Sequence, residues 1–552
     1  MSIKELVKSI TKKEWRWVIL LTIAVILITN LPYLYAALNA PTGYFWDGIH
    51  AITPGDSPVY FSYLTQVKSG KWLLQDNFTP EPQSGGLLNL FWLILGLAGK
   101  IFNLSPIVTF HLARILLIPL FIFVLYLLVS YFWEKDIWRK IAMIFLCFSS
   151  GIGAYFVSWF DKLFPATNSF VYKWLMDIWI PDSNIFLSLY QSPHFIFSLT
   201  LLILFFLLMI MSLNYENLKY SFYAGLIGLF WFNFHPFYFP YVFFIFFIYL
   251  IFLVLKKRKY KLFINYGLAL ILSLPFIIYH YYKMQTDFVI GGRAVQNVTI
   301  TPDFLFVGLG FGFLLLGAIL GIIVLIYNRK LLKNEKYFFI FAWLAGGFVL
   351  VYSPIFFQAR FLQGLQIPMV FLTLIFWEWL SPILQKRYQK IFNFLKGNYV
   401  ILGFMFLVLF GFSTFFNLVR DIYCYEKRLP YFYLPNEYLQ ATNWLQANNQ
   451  KRSPILASEF NGNLIPAFLD QQVFLAHGIE TLNYNQKKQE LTNFFNDNYS
   501  ESQAIDFFKK YNLNYLFISE LDRRASRIKP EEKKYLEKVF SQGQLEIYKL
   551  KV

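Results

Sequence analysis

Apolar runs of about 20 residues recur along most of this 552-residue chain, and a run of that length crosses a bilayer as a helix. The composition agrees, since 57% of the residues are hydrophobic and only 15% are charged, against about 25% charged in soluble domains. A water-soluble enzyme and a disordered chain are therefore excluded. The fold class that the sequence predicts is an α-helical polytopic membrane protein. We predict eleven spans, over residues 17–39, 108–132, 140–160, 193–213, 219–234, 237–255, 262–282, 303–327, 337–357, 364–382 and 398–417.

The net charge of +17 lies in short basic clusters between the apolar runs. This is the positive-inside pattern of a membrane protein, so we predict no nucleic-acid partner. With the N-terminus in the cytosol, the predicted cytosolic segments hold 22 of the 49 Lys and Arg residues. The external loops before the tail hold only 7. The segment 85–103 is also apolar, but counting it as a span would place the later basic clusters outside. We therefore expect it to be a juxtamembrane or re-entrant helix on the outer side.

The tail is more polar and mixes helical and extended patterns, which favours a small α/β domain. We accordingly divide the chain into a membrane domain, 1–419, with an outer loop at 40–107, and an extracytoplasmic domain, 420–552. The predicted tail helices are 436–447, 486–496, 502–511 and 530–540, and the predicted strands are 454–457, 473–476, 515–519 and 545–550. The two cysteines are too few for a disulfide scaffold or a multi-cysteine metal cluster.

An Asp-Ser-Pro sequence at residues 56–58 of the first outer loop is typical of a helix start. We expect this helix to run to about Ser69 and to stop at Gly70. The sequence leaves two interpretations of Asp56 open. Its carboxylate caps the helix, or it is a catalytic group held at the outer face of the membrane, and one residue can do both.

Three other positions combine a polar side chain with an apolar setting. Arg114 lies near the start of the second span, where it either snorkels to lipid headgroups or finds a partner. His194 and His235 lie at outer span ends, where an outward cavity would open, although a structural role is the alternative. His477 in the tail is interpreted as structural or as a contact to an acceptor.

The order of these features is distinctive over residues 17–135. A first span is followed by an outer loop with an early Asp and then Tyr60, by an apolar juxtamembrane helix, and by Arg114-Ile115 in the second span. This order resembles the GT-C superfamily of membrane glycosyltransferases, which includes protein O-mannosyltransferases and lipid A aminoarabinose transferases. Residues 358–364, 462–466 and 477–481 are similar to motifs of bacterial members. Many members carry two adjacent acids at the catalytic position, whereas this chain has Asp56-Ser57.

The resemblance implies a glycosyltransferase of the bacterial cell membrane. Its donor would be a polyprenyl-phosphate-linked sugar, and its acceptor a glycan, lipid or protein of the cell envelope. Asp56 would take the acceptor proton, and an arginine fork, for which Arg360 is the first candidate and Arg293 the second, would hold the departing phosphate. No cofactor is established, and a divalent cation stays open. The candidate substrate-binding residues are Asp47, Tyr60, Glu81, Arg114, His194, His235, Arg293, Arg360 and Gln363.

Two other classes of function compete with an enzyme. A transporter or flippase of lipid-linked sugars would carry polar groups in mid-membrane and paired repeats. Here the polar groups gather at outer span ends, and the sequence shows no repeat. A non-enzymatic envelope assembly factor would use the tail as a binding module, and a substitution of Asp56 would not affect it.

Overall fold

The computed structural model describes residues 3–158, 175–429 and 431–551. Within these ranges, nine helices are long and apolar enough to cross a membrane. The chain is thus a helical, multi-pass membrane protein, as the sequence predicts. The nine helices are Lys12–Leu38, Pro106–Phe132, Asp136–Phe156, Pro193–Tyr215, Tyr238–Lys257, Leu262–Thr286, Phe304–Tyr327, Gln358–Arg387 and Tyr399–Glu426.

The other two predicted spans, 219–234 and 337–357, also correspond to helices. These are Leu218–Phe234 and Glu335–Val351, each of 17 residues. The end of the predicted span 140–160 and part of the outer loop that follows it lie outside the described residues. The remaining α-helices are Ile3–Lys8, Asp56–Lys68, Leu90–Ile101, Ile185–Gln191, Phe288–Gln296, Arg329–Leu332, Gln389–Gly397, Glu437–Asn448, Glu459–Phe468, Tyr484–Phe495, Glu501–Lys510 and Glu520–Ala525.

The apolar segment 85–103 forms the helix Leu90–Ile101. The side chain of Asn89 accepts a hydrogen bond from the Trp92 backbone N–H and so caps its first turn. Its 12 residues extend about 18 Å, at 1.5 Å per residue, which is too short for a hydrocarbon core of about 30 Å. The prediction of a short helix rather than a full span is confirmed.

The chain forms two compact units. Unit 1 comprises Met1–Pro32, Arg114–Ile278 and Val298–Tyr423, and it holds most of the apolar helices. Unit 2 comprises Tyr33–Ala113, Tyr279–Asn297 and Cys424–Val552. The loop 40–107 and the tail therefore belong to the same unit, although some 300 residues of sequence separate them.

Unit 2 contains two small sheets. Strand β1 (Tyr44–Trp46) of the loop 40–107 pairs antiparallel with β2 (Tyr433–Pro435) of the tail. The second sheet has the order β3-β4-β6-β5, in which β3 and β4 are parallel and the other pairs antiparallel. Its strands are β3 (Ile455–Leu456), β4 (Tyr515–Ile518), β5 (Leu536–Gln542) and β6 (Leu545–Leu550). All four residues of β4 are buried, so this sheet lies in the core of the unit.

The helices predicted in the tail at 436–447, 486–496 and 502–511 are confirmed, as are the strands at 454–457, 515–519 and 545–550. The helix predicted at 530–540 is wrong: a single 3-10 turn, Pro530–Glu532, precedes strand β5. Gly543, with a φ of +57°, forms the tight turn that pairs β5 with β6, and this pairing overrides the helix propensity of the Glu- and Lys-rich segment. The strand predicted at 473–476 is reduced to one bridge, between Val473 and Ile455.

Candidate functional site

The helix Asp56–Lys68 positions the carboxylate that the sequence singles out. Asp56 is its first residue, and Gly55 occupies the N-cap position, so the interpretation of Asp56 as the cap is wrong. The backbone N–H of Asp56 donates to the carbonyl of Thr53 at 3.2 Å, which fixes this end of the helix. Gly70, with a φ of +106°, follows the last turn, and the predicted extent of the helix is confirmed.

The Asp56 carboxylate meets a histidine of the tail. Oδ1 of Asp56 lies 3.1 Å from Nε2 of His477. Nδ1 of His477 accepts the Ile479 backbone N–H at 3.3 Å, so in the neutral ring the proton lies on Nε2 and is donated to Asp56. Gly55 makes room for this ring, because a Cβ at that position would lie only 3.1 Å from Cδ2 of His477.

Charges around His477 favour its protonated form. Burial lowers the pKa of this imidazole, but the hydrogen bond and the charge of Asp56, together with Glu480, outweigh burial and leave the pKa above its ordinary value. The side chain of Asp56 is 39% exposed and that of His477 17%. The carboxylate is therefore the more accessible member of the pair, and the histidine is the more buried member.

Arg293 lies in the same unit but is already engaged. It is in the helix Phe288–Gln296, which Asp287 caps. Its guanidinium forms an ion pair with Glu480, lies 3.3 Å from the Asp76 carboxylate and donates to the Tyr63 hydroxyl at 3.2 Å. Asp76 is almost fully buried, and burial raises its pKa to about 7. Sequence reasoning did not select Asp76 or Tyr63, because no local pattern marks a partner on another segment.

The other predicted residues of unit 2 have structural contacts. The Glu81 carboxylate forms an ion pair with Lys487, which is only 2% exposed. The ring of Tyr60 stacks on Trp92, with a centroid distance of 5.3 Å.

Asp47 is buried, and its Oδ1 accepts the Ile49 backbone N–H at 3.1 Å. Burial raises the pKa of Asp47 to about 8, against the smaller opposing effect of the backbone hydrogen bond with Ile49. Its carboxyl is therefore buried and already bonded to the backbone, unlike the partly exposed carboxylate of Asp56.

A second polar cluster lies within unit 1, and we call it the Arg360 cluster. Nη1 of Arg360 donates to Oδ2 of Asp182 at 3.2 Å, and the Tyr238 hydroxyl donates to Oδ1 of the same carboxylate at 2.9 Å. The rings of His194 and His235 are perpendicular, with centroids 5.2 Å apart. The side chain of Arg360 remains 27% exposed, whereas Asp182 is buried. The ring of His235 lies 5.6 Å from that of Tyr238, between centroids. The structure thus brings together three residues predicted from the sequence, Arg360, His194 and His235, with Asp182, which the sequence did not indicate.

Gln363 and Arg114 are buried in separate networks. The Ser198 hydroxyl donates a hydrogen bond to Oε1 of Gln363 at 3.0 Å. The Ser198 hydroxyl oxygen in turn accepts a hydrogen bond from the indole N–H of Trp231 at 2.8 Å. Arg114 is fully buried and donates to the carbonyl of Thr29 and to the side chain of Asn30. The snorkelling interpretation of Arg114 is therefore wrong, since the guanidinium bonds to the first helix.

Among the described residues, no group of three or more His, Cys, Asp or Glu side chains is arranged to hold a metal ion. We therefore assign no residue to a divalent cation.

Comparison with known proteins gives a result at the level of structure only. No protein-family model matches this chain, and no curated protein matches it by sequence. An archaeal oligosaccharyltransferase, AglB from Archaeoglobus fulgidus, solved with an inhibitory peptide and a dolichol-phosphate, is similar with a TM-score of 0.52 and 14% identity. The match covers 92% of this chain and 70% of AglB.

A second structure is similar to the same extent. It is the Archaeoglobus fulgidus oligosaccharyltransferase tethered by a disulfide bond to an acceptor peptide with the NVT sequon, with a TM-score of 0.50 and 14% identity over 91% of this chain and 69% of that one. At this identity the likeness concerns the fold. The chain therefore has the GT-C fold of the archaeal oligosaccharyltransferase, as the sequence resemblance predicted.

Proposed function

We propose that this protein is a membrane glycosyltransferase that moves a sugar from a polyprenyl-phosphate-linked donor to an acceptor of the bacterial cell envelope. The observation that carries the proposal is the Asp56–His477 pair, a partly exposed carboxylate supported by a histidine, in a chain with a GT-C fold. Fold alone does not define an activity, but this pair supplies the group that glycosyl transfer needs.

In the proposed reaction, an acceptor hydroxyl or amine attacks the anomeric carbon of the donor sugar. Its proton passes to the Asp56 carboxylate, the new glycosidic bond forms, and the bond from the anomeric carbon to the lipid phosphate breaks. A positioned base of this kind contributes about 10²–10⁴-fold to the rate. His477 acts as a positioning residue, because its Nε2–H fixes one carboxylate oxygen.

The departing lipid phosphate needs a cation, and we assign Arg360 to it. A guanidinium binds phosphate through two parallel N–H groups. Asp182 contacts Nη1 of Arg360 at 3.2 Å and orients the fork. Arg293, the alternative from sequence, is a weaker candidate because Glu480 and Asp76 already surround its fork.

The transfer is tested by product analysis of membranes. Membranes from cells with and without the protein are supplied with a radiolabelled polyprenyl-phosphate sugar, and label is followed into lipid, glycan and protein fractions. We expect label to leave the donor only when the protein is present. Movement of intact donor across the membrane without cleavage of the sugar–phosphate bond would identify a flippase instead, and no change in either would favour an assembly factor.

The proposed location of the reaction is the outer face of the cell membrane, with the N-terminus in the cytosol and the domain from about residue 420 outside. The basic-residue asymmetry supports this orientation. A reporter that is active only in the cytosol, fused after Val552, should be silent, and a fusion before Met1 should be active. The reverse pattern would contradict the orientation.

A further inference from the structure

An open cavity of about 530 Å³ lies in unit 2. This volume is in the ordinary range for small-molecule sites. One wall begins at Gly478, the residue directly after His477. The described residues that line it are Gln296, Gly478, Asn483, Tyr484, Asn485 and Gln486.

The chemistry of this lining is selective. Four of the side chains are amides, which both donate and accept hydrogen bonds, and one is a tyrosine. None of these lining side chains carries a charge, and the Lys488 and Glu459 side chains, which both bond to the Tyr484 hydroxyl, form an ion pair with each other, which disfavours a phosphate or another anion. None is aliphatic, which disfavours an acyl chain. A ligand with many hydroxyl groups and a stackable ring face matches this set.

The wall of the cavity is held in place by Gln296. Its amide N–H₂ donates to the carbonyls of Ile479 and Thr481 at 3.3 and 3.1 Å, and its Oε1 accepts the Asn483 backbone N–H at 3.1 Å. Gln296 is the last residue of the helix that carries Arg293. Arg293 and Glu480 are charges that act on His477, so the segments that form the cavity wall also carry these charges.

The ring of Tyr484 is half-buried, and Gly478 keeps space beside it. A Cβ at Gly478 would lie 3.8 Å from the ring, so a larger side chain would cover that face. Asn485 and Gln486, by contrast, are exposed at the start of the helix Tyr484–Phe495. The cavity therefore offers an aromatic face beside exposed amide groups, as a sugar ring requires.

We propose that this cavity binds the acceptor and that the acceptor is a glycan. A sugar ring would stack on Tyr484, its hydroxyls would bond to Asn485 and Gln486, and the next hydroxyl along the glycan would face the Asp56–His477 pair. This inference rests on the proposed function, because it names the acceptor class of the same site. A peptide acceptor is the competing outcome.

Binding without turnover tests the inference separately from catalysis. The full-length protein is purified in detergent and titrated by calorimetry with soluble tetrasaccharides of N-acetylglucosamine, mannose and glucose, and with an uncharged octapeptide. We expect saturable binding of at least one tetrasaccharide, with Tyr484→Ala weakening it at least 10-fold and Gln486→Ala about 3- to 10-fold. Gly478→Leu should also weaken it, because leucine would cover the ring.

Gln489→Ala is the matched control, because Gln489 is exposed on the same helix but does not line the cavity. It should bind as the wild type does. Asp56→Asn should keep glycan binding while losing transfer, so the cavity and the catalytic proposal fail separately. Binding of the peptide alone, binding of no tetrasaccharide, or equal effects of Gln486→Ala and Gln489→Ala would each overturn the glycan site.

Discussion

Oδ1 of Asp56 lies 3.1 Å from Nε2 of His477, although 421 positions separate the two residues in the chain. The pair forms only when the tail folds together with the loop 40–107, and both segments belong to unit 2. Strands β1 and β2 join the same two segments at Tyr44–Trp46 and Tyr433–Pro435. The tail is therefore part of the structure that holds the proposed base, and removal of the tail should abolish activity.

Asp56→Asn is expected to abolish transfer and leave the fold intact. The asparagine Oδ1 can still accept the Nε2–H of His477, so the local geometry survives. An amide cannot take the acceptor proton, however, and the rate should fall on the order of 10²-fold or more. Transfer of labelled sugar by the purified protein measures the activity, and the thermal unfolding midpoint of the same protein shows whether the fold is intact.

Asp506→Asn serves as the control for this substitution, since Asp506 is exposed on the helix Glu501–Lys510. It should be as active as the wild type. If the Asp56→Asn protein is folded and also turns over at the wild-type rate, Asp56 is not the base.

The fold could be predicted from the sequence to a large extent, because membrane spans are local signals. A run such as Pro193–Tyr215 is recognised from its own residues. The tail strand β5 was missed because its pairing with β6, a tertiary contact, decides its conformation. Local helix propensity favoured the wrong state there.

The site could be predicted only in part, for a related reason. Asp56 stands out because an acid precedes a proline at a helix start. Arg360 stands out because it is the one charged residue in the connection 358–363 between two predicted spans. Their partners, His477 and Asp182, lie 421 and 178 positions away and carry no local signal of the contact. No sequence pattern indicates Asp182, and of the two interpretations of Asp56 the helix cap is wrong because the helix begins one residue earlier than expected.

Gly55→Ala should impair transfer through His477 alone. Gly55 has ordinary helical angles, with a φ of −71° and a ψ of −27°, so the backbone accepts alanine. The new Cβ would lie 3.1 Å from the His477 ring and displace it by a few tenths of an ångström. We expect transfer to fall about 10-fold, less than the 10²-fold that a 1 Å misplacement can cost.

The control is Gly403→Ala, because a Cβ at Gly403 would meet no atom within 4 Å. It should leave transfer unchanged. In a protein that already carries His477→Ala, Gly55→Ala should cause no further loss of transfer, because the ring that the new Cβ would displace is absent. A further loss in the double variant would show that Gly55 acts through another contact.

The raised pKa of His477 predicts a pH dependence of stability. Its protonated form interacts with Asp56, so the pair adds to the free energy of unfolding below the ordinary histidine pKa of about 6.5. This contribution is lost as the pH rises through the higher pKa of the folded state. In Asp56→Asn the carboxylate is gone, burial then lowers the pKa, and the stabilisation should disappear.

The measurement is the thermal unfolding midpoint of wild type and Asp56→Asn in detergent between pH 5 and pH 9. The wild type should be the more stable protein at the acid end, and the two curves should converge at the alkaline end. Parallel curves over the whole range would show that the pair does not hold a proton on His477.

Arg360→Lys should weaken donor binding far more than an exchange of a surface arginine would. Lysine keeps the charge but loses the planar fork that contacts Asp182 and that we propose for the lipid phosphate. Loss of one charge-assisted hydrogen bond costs about 1.5–3 kcal/mol, which corresponds to about 10- to 100-fold in Kd.

Donor affinity and turnover of the purified protein should be compared for Arg360→Lys, Arg360→Ala and the exposed control Arg329→Lys. A headgroup anchor would tolerate lysine, because both side chains snorkel. If Arg360→Lys binds and turns over the donor as the wild type does, the guanidinium fork has no specific role, and Arg293 becomes the residue to test.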